Sequence, residues 1–93
     1  MDVVVLDLHG ISLVADYFII ASATSTVHAQ AVADGILMEL KARGYQAVRR
    51  EGYQHARWIL LDYGEVVVHI FQPGERLFYD LEHLWGDAAV VEM

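Results

Sequence analysis

Two carboxylates stand where phosphoryl chemistry would want them. Asp7 lies within the run VVVLDL, and Asp16 directly precedes YFIIAS, so the pair falls on neighbouring predicted strands. A nucleotidyltransferase would hold metal and triphosphate between such acids. No third acid stands near them, so the pair is thin support for a metal site. The plainer readings are a turn or cap for Asp16 and a hydrogen-bonded loop tether for Asp7. A phosphate cradle would need glycines between strand and helix. The segment SATSTV, Ser22 to Val27, has none, and its hydroxyls suit helix capping better than anion binding. His9, His28, His55, His69 and His83 are scattered without an HExxH pair, which does not favour zinc. Ser12 or Ser22 could be joined to His69 and Asp62 as a triad on paper, but GxSxG is absent. The chain has no cysteine, which excludes disulfides and thiolate chemistry. No catalytic residue, metal or cofactor is expected.

The chemistry that remains is contact. Trp58 to Trp85 reads WILLDYGEVVVHIFQPGERLFYDLEHLW, an apolar hairpin followed by a segment dense in large aromatics. Such side chains either fill a core or anchor an interface, where Tyr and Trp bury area while keeping a polar handle. Asp62, Tyr63 and Gly64 have turn chemistry as their simple account, but a large Tyr at a turn also suits a contact. Arg76 and Asp80 are spaced to pair along a helix. For Trp85, core and interface readings weigh equally.

The elements that position these residues follow from pattern. Asp2 to Leu8 is a predicted strand whose unbroken apolar run suits burial on both faces. His9-Gly10 ends it, Ile11 to Val14 links, and Tyr17 to Ser22 is a second strand. Ser25 is the N-cap of a helix to about Arg43, with Ala29, Val32, Ala33, Ile36, Leu37 and Leu40 on its apolar side. Gly35 reads as a close packing contact, and Gly44 as the left-handed C-cap. Tyr45 to Arg50 is a weaker strand and Glu51 to Ala56 a polar link. Trp58 to Leu61 and Val66 to Phe71 form a hairpin about Asp62 to Glu65, with Gly64 supplying positive φ.

Pairing Asp62 with Glu65 sets Trp58 opposite His69 and gives the hairpin two faces. One carries Ile59, Leu61, Val66, Val68 and Ile70, a core face. The other carries Trp58, Leu60, Asp62, Glu65, Val67, His69 and Phe71, a mixed face suited partly to contact. On this face, packing with one hydrogen bond is the simple account of His69. Pro73-Gly74 is a turn, Glu75 to Trp85 has short helical character, and Ala88 to Val91 is a last strand at an edge. The order predicts one mixed sheet with helices on one or both sides, α/β or α+β.

Ninety-three residues make one domain, too small for a large-cavity enzyme and apt to gain stability from a partner. Purely apolar stretches are far too short to span a bilayer, so no membrane is expected, and the start does not resemble a signal peptide. The net charge of -7 should repel nucleic acid and attract basic proteins. Five of the six bases, Lys41, Arg43, Arg49, Arg50 and Arg57, lie between positions 41 and 57. As a linear run they read as a solvated rim, with little direct nucleic-acid contact expected.

Three blocks carry a family likeness: VVVLDLHGISLVADYFIIASATS (Val3 to Ser25), EGYQHARWILLDYGEVVVHIF (Glu51 to Phe71) and RLFYDLEHLWGDA (Arg76 to Ala88). Together they resemble the ribosomal silencing factor family, RsfS, also called Iojap-like proteins. The resemblance implies a single α/β domain over residues 1–93, nucleotidyltransferase-like in shape without catalytic residues. It implies a cytoplasmic protein, with an organellar source equally open, that binds a large-subunit ribosomal protein at the intersubunit face. There it would block subunit association and repress translation. A homodimer is a further association the family suggests. Family members usually begin with another helix, and this chain starts directly at Asp2, so that helix is expected to be missing. Ala23 also stands where the family often has glycine. The partner surface is placed on Trp58, Leu60, Asp62, Tyr63 and Gly64, with His69 beside them, and Tyr79, Leu81 and Trp85 as a second tier. Two other readings compete. A nucleotidyltransferase-like enzyme would need Asp7 or Asp16, and a homodimeric module would pair through its apolar hairpin face.

Overall fold

The structure is a computed structural model that describes residues 3–10, 15–74 and 89–91. Its elements in chain order are β1 (Val4–Asp7), β2 (Tyr17–Ser22), α1 (Thr26–Ala42), β3 (Arg49–Glu51), β4 (Trp58–Asp62), β5 (Val66–Phe71) and β6 (Ala89–Val91). The six strands form one sheet in the order β3-β4-β5-β2-β1-β6. Among the described residues only β2 and β5 pair in parallel; the other neighbours are antiparallel. The fold is therefore a small α/β domain with a mixed sheet and a flanking helix, and β6 lies at an edge as expected. The helical reading of Glu75 to Trp85 falls outside the described residues.

Helix α1 starts where its cap predicts. The Ser25 hydroxyl accepts the His28 amide at 3.1 Å. At the other end Gly44 has φ +91. Its amide reaches the Lys41 carbonyl, and that of Tyr45 reaches the Leu40 carbonyl. This satisfies orphan carbonyls of the last turn and draws the Tyr45 amide into the cap. Strand β3 accordingly starts only at Arg49, not at Tyr45 as the pattern suggests. Ala29 and Ala33 are fully buried against Ile59, Leu61, Val68 and Ile70, with Val32, Ile36 and Leu37 packed around them. Gly35 is not a close packing contact: a Cβ there would meet nothing within 4 Å.

The hairpin register differs from the expected one by two residues. Trp58 pairs with Phe71, Leu60 with His69 and Asp62 with Val67. The tip closes one residue further out, where the Tyr63 amide donates to the Val66 carbonyl at 2.9 Å. The Asp62 carboxylate takes the Gly64 amide at 2.8 Å, and Gly64 has φ +86. A shift of two leaves every side chain on its predicted face, because strand side chains alternate with period two.

Burial on both faces belongs to β5, not to β1. From Val67 to Phe71 every β5 residue is buried, since α1 covers one face and the cluster of Leu6, Leu8, Ile20 and Phe71 forms on the other. In β1 only Leu6 is buried, with Leu8 just beyond it. Between α1 and the sheet, at β2 and the start of β5, lies an apolar groove of about 840 Å³, with Ile19, Val66 and Val68 on its sheet wall and Val32, Ile36 and Leu40 on its helix wall.

Candidate partner-binding surface

The side of β4 and β5 that faces away from α1 is built on stacked aromatic rings. Trp58 lies tilted against Phe71 at 4.9 Å between ring centres, and Phe18 meets His69 edge-on at 4.6 Å. His69 and Phe71 are near parallel at 6.0 Å. The indole Nε1–H of Trp58 donates to His69 Nδ1 at 3.0 Å. An indole nitrogen can only donate, so Nδ1 accepts and the neutral ring carries its proton on Nε2. That second nitrogen is buried and has no hydrogen-bond partner among the described residues. Burial pushes the imidazole pKa down to about 4. His69 is 4% exposed, so it fixes Trp58 from beneath and offers little surface itself.

Trp58, Leu60 and Asp62 stand half-buried on this face, in alternation along β4. Asp62 also approaches Arg49 across the strand pair at 3.6 Å. Gly64 and Glu65 are exposed at the tip. Tyr63 goes to the opposite face. It packs on the α1 cluster with its hydroxyl buried and unpartnered among the described residues. That burial raises the Tyr63 pKa above its ordinary value. The sequence-placed residues thus divide: Trp58, Leu60, Asp62 and His69 gather on one face, Gly64 joins them at the tip, and Tyr63 lies across the sheet. Tyr79, Leu81 and Trp85 lie outside the described residues, as do Arg76 and Asp80.

Asp7 and Asp16 do meet, around His9. Asp7 accepts both the His9 amide, at 3.0 Å, and His9 Nδ1, at 2.6 Å. Asp16 lies 3.5 Å from His9 Nε2. The hydrogen bond to Asp7 raises the His9 pKa, and the His9 amide lowers that of Asp7. Asp7 is the hydrogen-bonded loop tether the sequence suggested. Among the described residues no three His, Asp or Glu side chains form a group able to hold a metal. No helix there is long and apolar enough to cross a membrane.

One feature of the β3–β4 connection escaped sequence reasoning. A Cβ on Gly52 would lie 2.1 Å from the Trp58 carbonyl oxygen, and φ there is +78. Ala56, fully buried, holds φ +58. Gln30 of α1 donates to the Tyr53 carbonyl at 2.9 Å, and the Tyr53 hydroxyl to Asp34 at 2.9 Å. Gln72 donates to the Ala56 carbonyl at 3.2 Å. These bonds clamp the entry to β4, so the backbone at Trp58 is held from both sides. The glycine was visible in the sequence; its close approach to Trp58 was not.

Known proteins extend the comparison. The family model described as "Ribosomal silencing factor during starvation" matches residues 1–93. The ribosomal silencing factor RsfS of Bacillus subtilis is 47% identical over 99% of this chain and 78% of its own length. The chloroplastic Iojap protein of Arabidopsis thaliana is 36% identical over 83% of this chain and 32% of its own. A crystal structure from Bacillus halodurans matches with a TM-score of 0.86 and 42% identity, covering 99% of this chain and 83% of that one. One from Chromobacterium violaceum gives a TM-score of 0.89 at 35% identity, over 91% and 71%. The chain belongs to the ribosomal silencing factor family, RsfS.

Proposed function

We propose that this protein represses translation without catalysis, by occupying the intersubunit face of the large ribosomal subunit and blocking association with the small subunit. Its partner there is a basic large-subunit ribosomal protein. The observation that carries this reading is a pre-shaped aromatic surface on a chain of the silencing-factor family: Trp58, held by His69 and Phe71, beside Leu60, Asp62 and Gly64. Trp58 and Leu60 supply the desolvated centre of such a contact. Asp62 and Glu65 steer a basic partner more than they hold it. Tyr63 acts from the far face by shaping the tip, and His69 by orienting Trp58. On this reading the domain shares the outline of a nucleotidyltransferase and not its chemistry, in keeping with the engagement of Asp7 and Asp16 by His9. The role places the protein wherever such ribosomes work, the cytoplasm or an organelle with ribosomes of its own.

Cosedimentation with separated large and small subunits, followed by a subunit-joining assay, tests the proposal. Binding to large subunits with reduced joining is the expected result, and Trp58→Ala should weaken binding at least tenfold in a folded protein. Absence of large-subunit binding by the folded protein would overturn the reading. Unchanged affinity of the folded Trp58 variant would remove the surface assignment alone.

A further inference from the structure

The charge of this chain is sorted along its length. Residues 41–57 hold five bases and one acid, a net of +4, while the rest holds one base and twelve acids, a net of -11, giving -7 in all. The fold returns two acids from outside the stretch to it, Glu39 beside Arg43 and Asp62 beside Arg49. β3 is an edge strand of the sheet. The last turn of α1 brings Lys41 next to it, across a groove of about 380 Å³ whose walls include Leu37, Lys41, Tyr45, Val48, Arg49 and Arg50. Asp7 belongs to β1, four strand spacings away, about 19 Å at ordinary sheet geometry. At 0.1 M salt that is about two Debye lengths, so its repulsion is largely screened at the groove.

Two observations separate this groove from a solvated rim. The first is exposed apolar area. Short charged edge strands protect a sheet from stray pairing, but Tyr45 and Val48 beside this one are 62% and 77% exposed. The second is unspent charge. Arg43 pairs with Glu39 and Arg49 approaches Asp62, whereas Lys41 and Arg50 have no ion pair among the described residues. Asp34 lines a separate pocket with Arg50 and Tyr53 and accepts the Tyr53 hydroxyl there, which leaves its negative charge in place. Glu51 falls on the other face of β3 from Arg50 by strand alternation. An acidic peptide adding as a strand would find only three residues of edge, too few for a ladder. A phosphate backbone needs no ladder: it needs free cations and a ring on which a base can stack.

We propose that the groove formed by Lys41, Tyr45, Val48 and Arg50 is a second docking surface, for the sugar-phosphate backbone of ribosomal RNA. The inference rests on the large-subunit reading above and gives the contact a second point of attachment. The linear run of bases suggested little nucleic-acid contact, because it did not reveal which bases are already paired or that Tyr45 stands open beside them. Two to three phosphate contacts give a salt dependence with a log–log slope of about 2, a roughly tenfold to twentyfold loss of affinity between about 50 and 200 mM salt.

The test compares the wild type with Lys41→Ala/Arg50→Ala. Both side chains are exposed, so the variant should melt as the wild type does. Binding to purified large subunits and to a labelled RNA hairpin is measured across salt, with polyglutamate as competitor. The expected result is a slope falling from about 2 to below 1 and an affinity at least fivefold weaker at low salt, for both targets. Equal slopes and affinities for wild type and variant would overturn the inference. So would displacement by polyglutamate with no RNA binding, which would assign the groove to an acidic protein segment. If the wild type binds the hairpin but not large subunits, the functional reading fails and the assignment to ribosomal RNA falls with it, whereas large-subunit binding with equal slopes overturns the inference alone.

Discussion

Acid should weaken this fold through one side chain, His69. Its Nδ1 accepts the Trp58 Nε1–H, and its pKa is pushed down to about 4 from an ordinary 6.5 by burial. Protonation would set two donors against each other in a buried site. In the unfolded chain the imidazole takes its proton near 6.5, so between 6.5 and 4 the unfolded state binds more protons and stability falls as pH falls. The stabilising neutral state is fully present above 6.5 and its advantage is spent by pH 4. A difference of 6.5 minus 4 corresponds to about 3 kcal/mol, of which about 2 is already lost at pH 5. For a domain stable by about 5 to 10 kcal/mol this is a large share. Urea unfolding of the wild type and of His69→Gln, from pH 7 to 4.5, isolates it. The variant keeps every other titrating group, including His9, whose raised pKa acts in the opposite sense. The wild-type curve should fall more steeply than the variant's by about 2 kcal/mol at pH 5. Parallel curves, or a His69 ring resonance titrating near 6.5, would refute the reasoning.

Two further outcomes follow from local geometry. Gly52→Ala places a methyl 2.1 Å from the Trp58 carbonyl at φ +78, so it should cost at least ~2 kcal/mol and lower the melting temperature by about 8 °C or more; an unchanged melting curve would mean that the connection moves freely. Ser25→Ala removes the hydroxyl that accepts the His28 amide and should cost ~1 kcal/mol, read by urea unfolding, with Ser25→Asn largely restoring it.

What the sequence made legible was what depends on short-range pattern. The cap at Ser25, the stripe from Ala29 to Leu37, strand β2 and the two hairpin faces all follow from period and local chemistry. The exact register did not, because the pattern from Trp58 to Phe71 is equally satisfied by pairings two residues apart. The choice falls to the tip, where Asp62 captures the Gly64 amide. Burial of β5 rather than β1 also lay beyond reach, since both runs are apolar and only strand order tells which is central. The same limit divided the candidate surface. Tyr63 is next to Asp62 in sequence and on the other side of the sheet in space.

The aromatic surplus of the hairpin has a physical use that neither core nor interface alone describes. A half-exposed Trp on an isolated strand would sample several rotamers and lose that freedom on binding, at about 0.5–1.5 kcal/mol for one side chain. Here the indole is tied at Nε1 to a histidine 4% exposed and laid against Phe71. The clamped connection through Gln30, Gln72 and Gly52 fixes the backbone below it. The ordering cost is thus met in folding, not in binding. His69 therefore links stability to contact: the neutral imidazole that acid would charge is the group that holds Trp58 ready for a partner.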